Sequence, residues 1–259
     1  MDPLWVSRQS LETDATVLKP GCGWLPAAWL YETGMRRAPR SARAGRHAEL
    51  TEYATPLGRP ALRQLLSRRR TGCRHHKALP EQIMLTESGM QAIDLICRFL
   101  LEPGDTVLVD DPVTSISTPC SRRIVRVVGV PYTLNGSDVE RFEAALRAHS
   151  LPGQHHQFRH PQPDGATLSP VTAHQLLKRA DSSGLVIVED DIFADFEVSP
   201  APTAAFDGLS RVIHIGSFSK TVSPRCVAAI AARSDWIESL TDLKIATTFG
   251  GSDWPPKSR

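Results

Sequence analysis

Lys220 stands in the segment Gly216-Ser217-Phe218-Ser219-Lys220-Thr221, directly after the apolar run Val212-Ile213-His214-Ile215. Lysine is strongly hydrated and seldom buried. Drawn into a dry site at a strand end, it loses part of its basicity and becomes a nucleophilic amine able to form a Schiff base. Taken alone, the segment reads first as a lysine on a surface turn after the strand. Two other segments carry complementary chemistry. Ile83-Met84-Leu85-Thr86 runs into Glu87-Ser88-Gly89-Met90-Gln91 and then a helical pattern. The free N–H groups and dipole of a helix N-terminus at Ser88-Gly89 favour a phosphate, although a plain strand-to-helix turn uses the same residues. Leu185-Val186-Ile187-Val188 ends in the acidic cluster Glu189-Asp190-Asp191. Such a cluster is either a functional carboxylate at a strand end or a solvated loop or helix cap.

These segments need a scaffold, and the hydrophobic pattern supplies one. Strands are predicted at 83–86, 106–109, 125–130, 185–188 and 211–215, and helices at 59–70, 90–101, 138–149 and 170–181. On the 90–101 helix Ile93, Ile96, Cys97 and Leu100 share one face. Residues 27–37 are a short helical candidate, 40–48 a linker or weak helix, and 151–165 a patch rich in His, Gln, Pro and Gly. Strands alternating with helices indicate a mostly parallel sheet covered on both faces. In such a sheet ligands gather at the carboxyl ends of the strands.

Composition excludes several other classes. The 259 residues suffice for one large α/β domain, and the net charge of +2 gives no case for nucleic acid or a membrane surface. The arginines of 36–74, Arg68-Arg69-Arg70 among them, read as a solvated helix face. Five widely spaced cysteines with no CxxC pair support neither a disulfide framework nor a zinc site. The absence of a signal peptide or a long apolar span makes the cytoplasm the expected compartment. Neither GxGxxG nor GxxxxGK[ST] follows any strand, which argues against a nucleotide-binding domain.

A phosphate cradle, a carboxylate and a lysine meeting at one sheet edge suit pyridoxal 5'-phosphate. In order and spacing the motifs resemble the fold type I pyridoxal-phosphate enzymes. They are most similar to the aminotransferase domain of MocR-type regulators of the GntR family, where that domain follows a winged helix. The stretches that carry the resemblance are Tyr53-Ala54-Thr55-Pro56-Leu57-Gly58, Ile83–Phe99, Pro103–Pro112, Gly165–Phe196 and Arg211–Thr221. The resemblance implies a three-layer α/β/α large domain over 49–259 with a mostly parallel sheet. It also implies an N-terminal arm and linker over 1–48, and a small C-terminal domain that is missing.

Residue by residue, it implies that Lys220 is the Schiff-base lysine and that Asp190 pairs with the pyridine nitrogen. Ser88, Gly89 and Met90 would cradle the phosphate, with Gln91 beside them. Ser217, Ser219 and Arg225 would add phosphate contacts. Phe193 would lie where many relatives carry a tyrosine facing the cofactor's phenolic oxygen. The implied activity is transamination between an α-amino acid and a 2-oxo acid, by a homodimer, with no metal.

The chain departs from the family at four places. Val113-Thr114-Ser115-Ile116 replace an aromatic ring stacker. His160-Pro161-Gln162-Pro163-Asp164-Gly165 lack the asparagine of His-Asn-Pro-Thr-Gly. Pro224-Arg225-Cys226-Val227 replace the usual setting of the phosphate-binding arginine. The small domain that clamps the substrate carboxylate is expected to be absent. Codon degeneracy allows the missing motifs to lie in shifted frames over 155–165, 224–229 and 253–259. Compensated frameshifts would therefore explain the departures, and the coding DNA tests this. On that reading 113–124 and 151–164 are foreign sequence, and the strand expected near 155 is lost or distorted. A sensor module without its winged helix, or a non-functional remnant, are the alternatives. Nothing in 1–48 reads as a helix-turn-helix.

Overall fold

The computed structural model describes residues 9, 11–12, 16–17, 25–26, 29–31, 55–73, 78–112, 125–148, 155–159, 166, 168–196, 206–223 and 227–249. In chain order the elements are α1 (Pro60–Cys73), β1 (Ile83–Thr86), α2 (Gly89–Leu100), β2 (Thr106–Asp111), β3 (Arg126–Thr133) and β4 (Gly136–Ser137). They continue with α3 (Val139–Ala148), β5 (His155–Arg159), α4 (Pro170–Ser183), β6 (Val186–Asp190), β7 (Val212–Ser217), β8 (Ala228–Ala231) and α5 (Ser234–Thr248).

One sheet has the order β1-β8-β7-β6-β5-β2-β3-β4. From β7 through β6, β5 and β2 to β3 every pairing is parallel. β8 runs antiparallel to both neighbours, and β4 antiparallel to β3. Strands β2, β6 and β7 are buried along most of their length on both faces, so they read as largely apolar runs rather than as alternation. Helices cover both faces. On one, Met84, Val186, Val188, Ile213 and Ile215 pack with Ile93 and Ile96 of α2 and Ile237 and Leu240 of α5. On the other, Ile83, Leu85, Ile187 and Val212 pack with Leu66 of α1, Phe142 of α3 and Leu176 of α4. This is the expected three-layer arrangement.

Local chemistry fixes the helix ends. Ser88 caps α2 by accepting the Gln91 N–H at 3.1 Å, and the Gln91 side chain accepts the Glu87 N–H at 2.8 Å. The two bonds together tie the end of β1 to the first turn of α2. α4 opens on Ser169 with Pro170 at its first position and closes on Gly184 at φ 71°, where a glycine bears no penalty.

Three expectations need correction. The strand near 155 is not lost: the backbone of His155–Arg159 forms β5, in register with β2 from Thr106 to Val109 and with β6 from Val186 to Glu189. Backbone pairing between two flanking strands is independent of side-chain identity, so it persists where the motif does not. Second, Cys97, buried on α2, is disulfide-bonded, although the cysteine spacing offers no framework. Third, strand β8 and helix α5 follow Lys220, where the pattern gave no element. The 27–37 helical candidate falls mostly outside the described residues, as do 113–124 and 160–165. Among the described residues no helix is long and apolar enough to cross a membrane.

Candidate active site

The parallel run brings the ends of β1, β6 and β7 to one edge of the sheet. Asp190, the last residue of β6, is level with Ile215 of β7. Ala228 of β8 lies between Thr86 of β1 and Ser217 of β7, in register with both. The cradle segment and the lysine segment are therefore flanking neighbours of a single alanine.

Lys220 rides on a tight turn. The Phe218 carbonyl accepts N–H bonds from Val222 at 2.9 Å, Ser223 at 3.2 Å and Thr221 at 3.3 Å, and the Ser217 hydroxyl accepts the Ser219 N–H at 3.0 Å. The lysine Nζ lies 5.2 Å from the centroid of the Phe193 ring, within range of a cation–π contact. Burial pushes the Lys220 amine below its ordinary value, and the Asp190 charge partly restores it. These are the opposing effects that desolvation and a nearby carboxylate exert on an amine. Asp190 is buried, and its Oδ1 accepts no hydrogen bond from the described residues while its charge acts on Lys220. Phe193 also packs at an angle on Phe196, with centroids 6.5 Å apart.

At the cradle, the N–H groups of the first helical turn have no acceptor within the helix. Among the described residues, a Cβ built on Gly89 would meet nothing within 4 Å. Met90 is exposed. Gln91 is engaged elsewhere: beyond its capping bond, its Nε2 donates to the Thr248 hydroxyl of α5 at 3.1 Å. The structure thus gathers Lys220, Asp190, Phe193, Ser217 and Ser219 at one end of β6 and β7. Ser88, Gly89 and Met90 lie across Ala228 from them, and Gln91 is turned towards α5. Arg225 lies outside the described residues.

Sequence reasoning missed a buried hydrogen-bonded pair beneath this edge. His214 Nε2 lies 3.0 Å from Asp191 Oδ2, and the two side chains are 2% and 12% exposed. The available signal was a histidine inside an apolar strand, whose register partner on β6 is the buried Glu189. It missed Thr221 as well, whose Oγ1 is buried with no hydrogen-bond partner among the described residues. Among the described residues no cluster of three His, Cys, Asp or Glu side chains could hold a metal ion.

The family model described as aminotransferase class I and II matches residues 30–253. An uncharacterised HTH-type transcriptional regulator of Bacillus subtilis strain 168, YdfD, is 28% identical over 219 residues, 81% of this chain and 44% of the relative. Aromatic-amino-acid aminotransferase 1 of Thermococcus litoralis is 28% identical over 210 residues, 76% of this chain and 50% of the relative. The chain thus spans about half or less of the length of the curated relatives it matches. Among solved structures, an archaeal alanine:glyoxylate aminotransferase superposes with a TM-score of 0.85 at 23% identity, a likeness of fold. It covers 96% of this chain and 64% of that one. LysN, the α-aminoadipate aminotransferase of Thermus thermophilus, matches with a TM-score of 0.72 at 28% identity over 88% of this chain and 59% of its own.

Proposed function

The chain belongs to the class I and II aminotransferase family, and from that premise we propose that it binds pyridoxal 5'-phosphate at Lys220 and transaminates an α-amino acid. The observation that carries this reading is the placement of Lys220 and buried Asp190 at the carboxyl ends of adjacent parallel strands, across Ala228 from the N-terminus of α2.

The residues present fit the cofactor. Asp190 offers a buried carboxylate oxygen, Oδ1, suited to a protonated ring nitrogen. The first-turn N–H groups at Gly89 and Met90, with the Ser88, Ser217 and Ser219 hydroxyls near by, suit a phosphate dianion. When bound, the cofactor supplies an electrophilic carbon for the amine and a ring that accepts electrons from the substrate. Lys220 contributes the amine, made more nucleophilic near neutrality by its burial. Freed from the cofactor, the same amine is the base that moves a proton at the substrate α-carbon. Phe193 packs its ring against it, 5.2 Å from centroid to Nζ. A phenylalanine has no hydroxyl to offer at this position, so its contribution is packing. The partners of the reaction are an α-amino acid and a 2-oxo acid, and the homodimer of the relatives belongs to the same proposal.

A second reading is favoured by a separate observation. YdfD, and YdcR of Escherichia coli strain K12 at 25% identity, carry the name of HTH-type transcriptional regulators. On that reading the chain is the ligand-sensing part of a regulator, and Lys220 holds cofactor without sustained turnover.

Cofactor trapping tests both. The purified chain is mixed with pyridoxal phosphate, reduced with borohydride and mapped by mass spectrometry, with Lys220→Ala as control. Selective labelling of Lys220 supports the site. Release of a 2-oxo acid from added amino acids then separates turnover from sensing. Scattered labelling of surface lysines would overturn the proposal.

A further inference from the structure

Asp190 ends β6 and Asp191 follows it, its N–H still bonded to β7, and successive residues of an extended chain point to opposite faces. Val186 and Val188 face α2 and α5, so Asp190 shares their side while Asp191 turns to the side of Leu185, Ile187 and α1. On that second side His214 grips Asp191 at 3.0 Å. The Asp191 N–H also donates to the Ile215 carbonyl at 2.9 Å. The end of β6 is thus tied to β7 twice, once through backbone and once through side chains.

A cavity of about 50 Å³ adjoins the pair and is lined by Leu66, Asp191, Asp195, His214, Ser217 and Phe218. Ser217 and Phe218 are the residues whose oxygens organise the lysine turn. The pair therefore sits against the bases of both functional segments, with room beside it for Asp191 to swing if released. The other groups facing His214 are Glu189 on β6 and Ala231 on β8, its register partners, and Asp195 across the cavity.

Resting on the functional reading above, we propose that His214 is a positioning residue: by holding Asp191 from beneath the sheet, it fixes the direction of the Asp190 carboxylate towards Lys220 and the cofactor ring. A buried carboxylate left without its imidazole would rotate towards the cavity or solvent, leaving the Asp190–Asp191 link tied to β7 by the single Asp191–Ile215 backbone bond.

The test uses the full chain and four variants. His214→Leu removes the grip and keeps bulk; His214→Gln keeps a donor near the Nε2 position; Asp191→Asn weakens the pair from the other side; and Asp190→Asn is the reference. Without cofactor, the pH profile of Lys220 labelling by an amine-directed sulfonate is read by peptide mapping. With cofactor, the dissociation constant of pyridoxal phosphate is read by absorbance. Asp190 raises the Lys220 pKa, so misdirecting it must move the labelling profile to lower pH. His214→Leu and Asp191→Asn should follow Asp190→Asn in that direction, and His214→Leu should weaken cofactor binding about tenfold, the cost of a lost charge-assisted hydrogen bond. His214→Gln should restore both. A folded His214→Leu, or Asp191→Asn if the former does not fold, with the wild-type profile would overturn the inference. Wild type that binds no cofactor, but shows the profile shift in the variants, would overturn the functional reading and leave the positioning role standing.

Discussion

Lys244 is a buried lysine on α5, and replacing it by methionine should detach the segment that covers the outer edge of β1. Its Nζ donates to the carbonyls of Pro56 at 2.7 Å and Leu85 at 2.9 Å, and the residue is 3% exposed. β1 pairs with β8 on one side. On the other, the Leu85 N–H goes to the Leu57 carbonyl at 3.0 Å and the Leu85 carbonyl to Lys244. The lysine thus does for β1 part of what a further strand would do. Each hydrogen bond from a charged donor contributes about 1.5–3 kcal/mol, and a buried carbonyl left unsatisfied costs about 1–3 kcal/mol. Against this, methionine fills similar volume and removes the cost of burying an ammonium. The net expectation for Lys244→Met is a loss of roughly 2–4 kcal/mol. In urea unfolding followed by circular dichroism this lowers the midpoint by about 1 M or more. Amide exchange at Leu85 should accelerate together with it. An unchanged midpoint and slope, with Leu85 still protected, would refute the view that this lysine closes the sheet edge.

Two further outcomes follow from single positions. Burial lowers the Lys220 pKa from its ordinary 10.5, so the unfolded state binds more protons between the folded value and 10.5. Stability must rise with pH through that window, and Lys220→Ala should flatten the rise in urea midpoints measured across alkaline pH. Gly58 has φ +85°, and a Cβ there would come within 2.6 Å of the Leu85 side chain. Gly58→Ala therefore combines left-handed strain with overpacking and should cost about 2–4 kcal/mol, read in the same unfolding assay.

Much of the scaffold was legible because its strands are buried on both faces and its helices are amphipathic. Ile83–Thr86 and the face of Ile93, Ile96, Cys97 and Leu100 stand in the structure as the pattern predicts. β6 extends two residues further than its apolar run, through Glu189 and Asp190, because both carboxylates are buried at the sheet edge. Composition alone marks such residues as loop. β8 was hidden for the opposite reason. Ala228-Ala229-Ile230-Ala231 has weak strand propensity, and its state is set by the two strands that pair with it. The approach of Lys220 to Asp190 followed from the order of the motifs, since adjacent parallel strands bring their carboxyl ends together. The pairing of His214 with Asp191 did not, because it depends on register between strands 23 positions apart. No local pattern encodes register.

Ala228 opposes Thr86 on one side and Ser217 on the other. Neighbouring strands lie about 4.8 Å apart, so the two flanking ends are held roughly 10 Å from each other. That interval is a gauge cut into the backbone, set by ladder hydrogen bonds rather than by any side-chain rotamer. The α2 terminus and the Lys220 turn therefore keep their spacing when side chains repack, and a substitution in either segment changes what is offered at that end without moving the other.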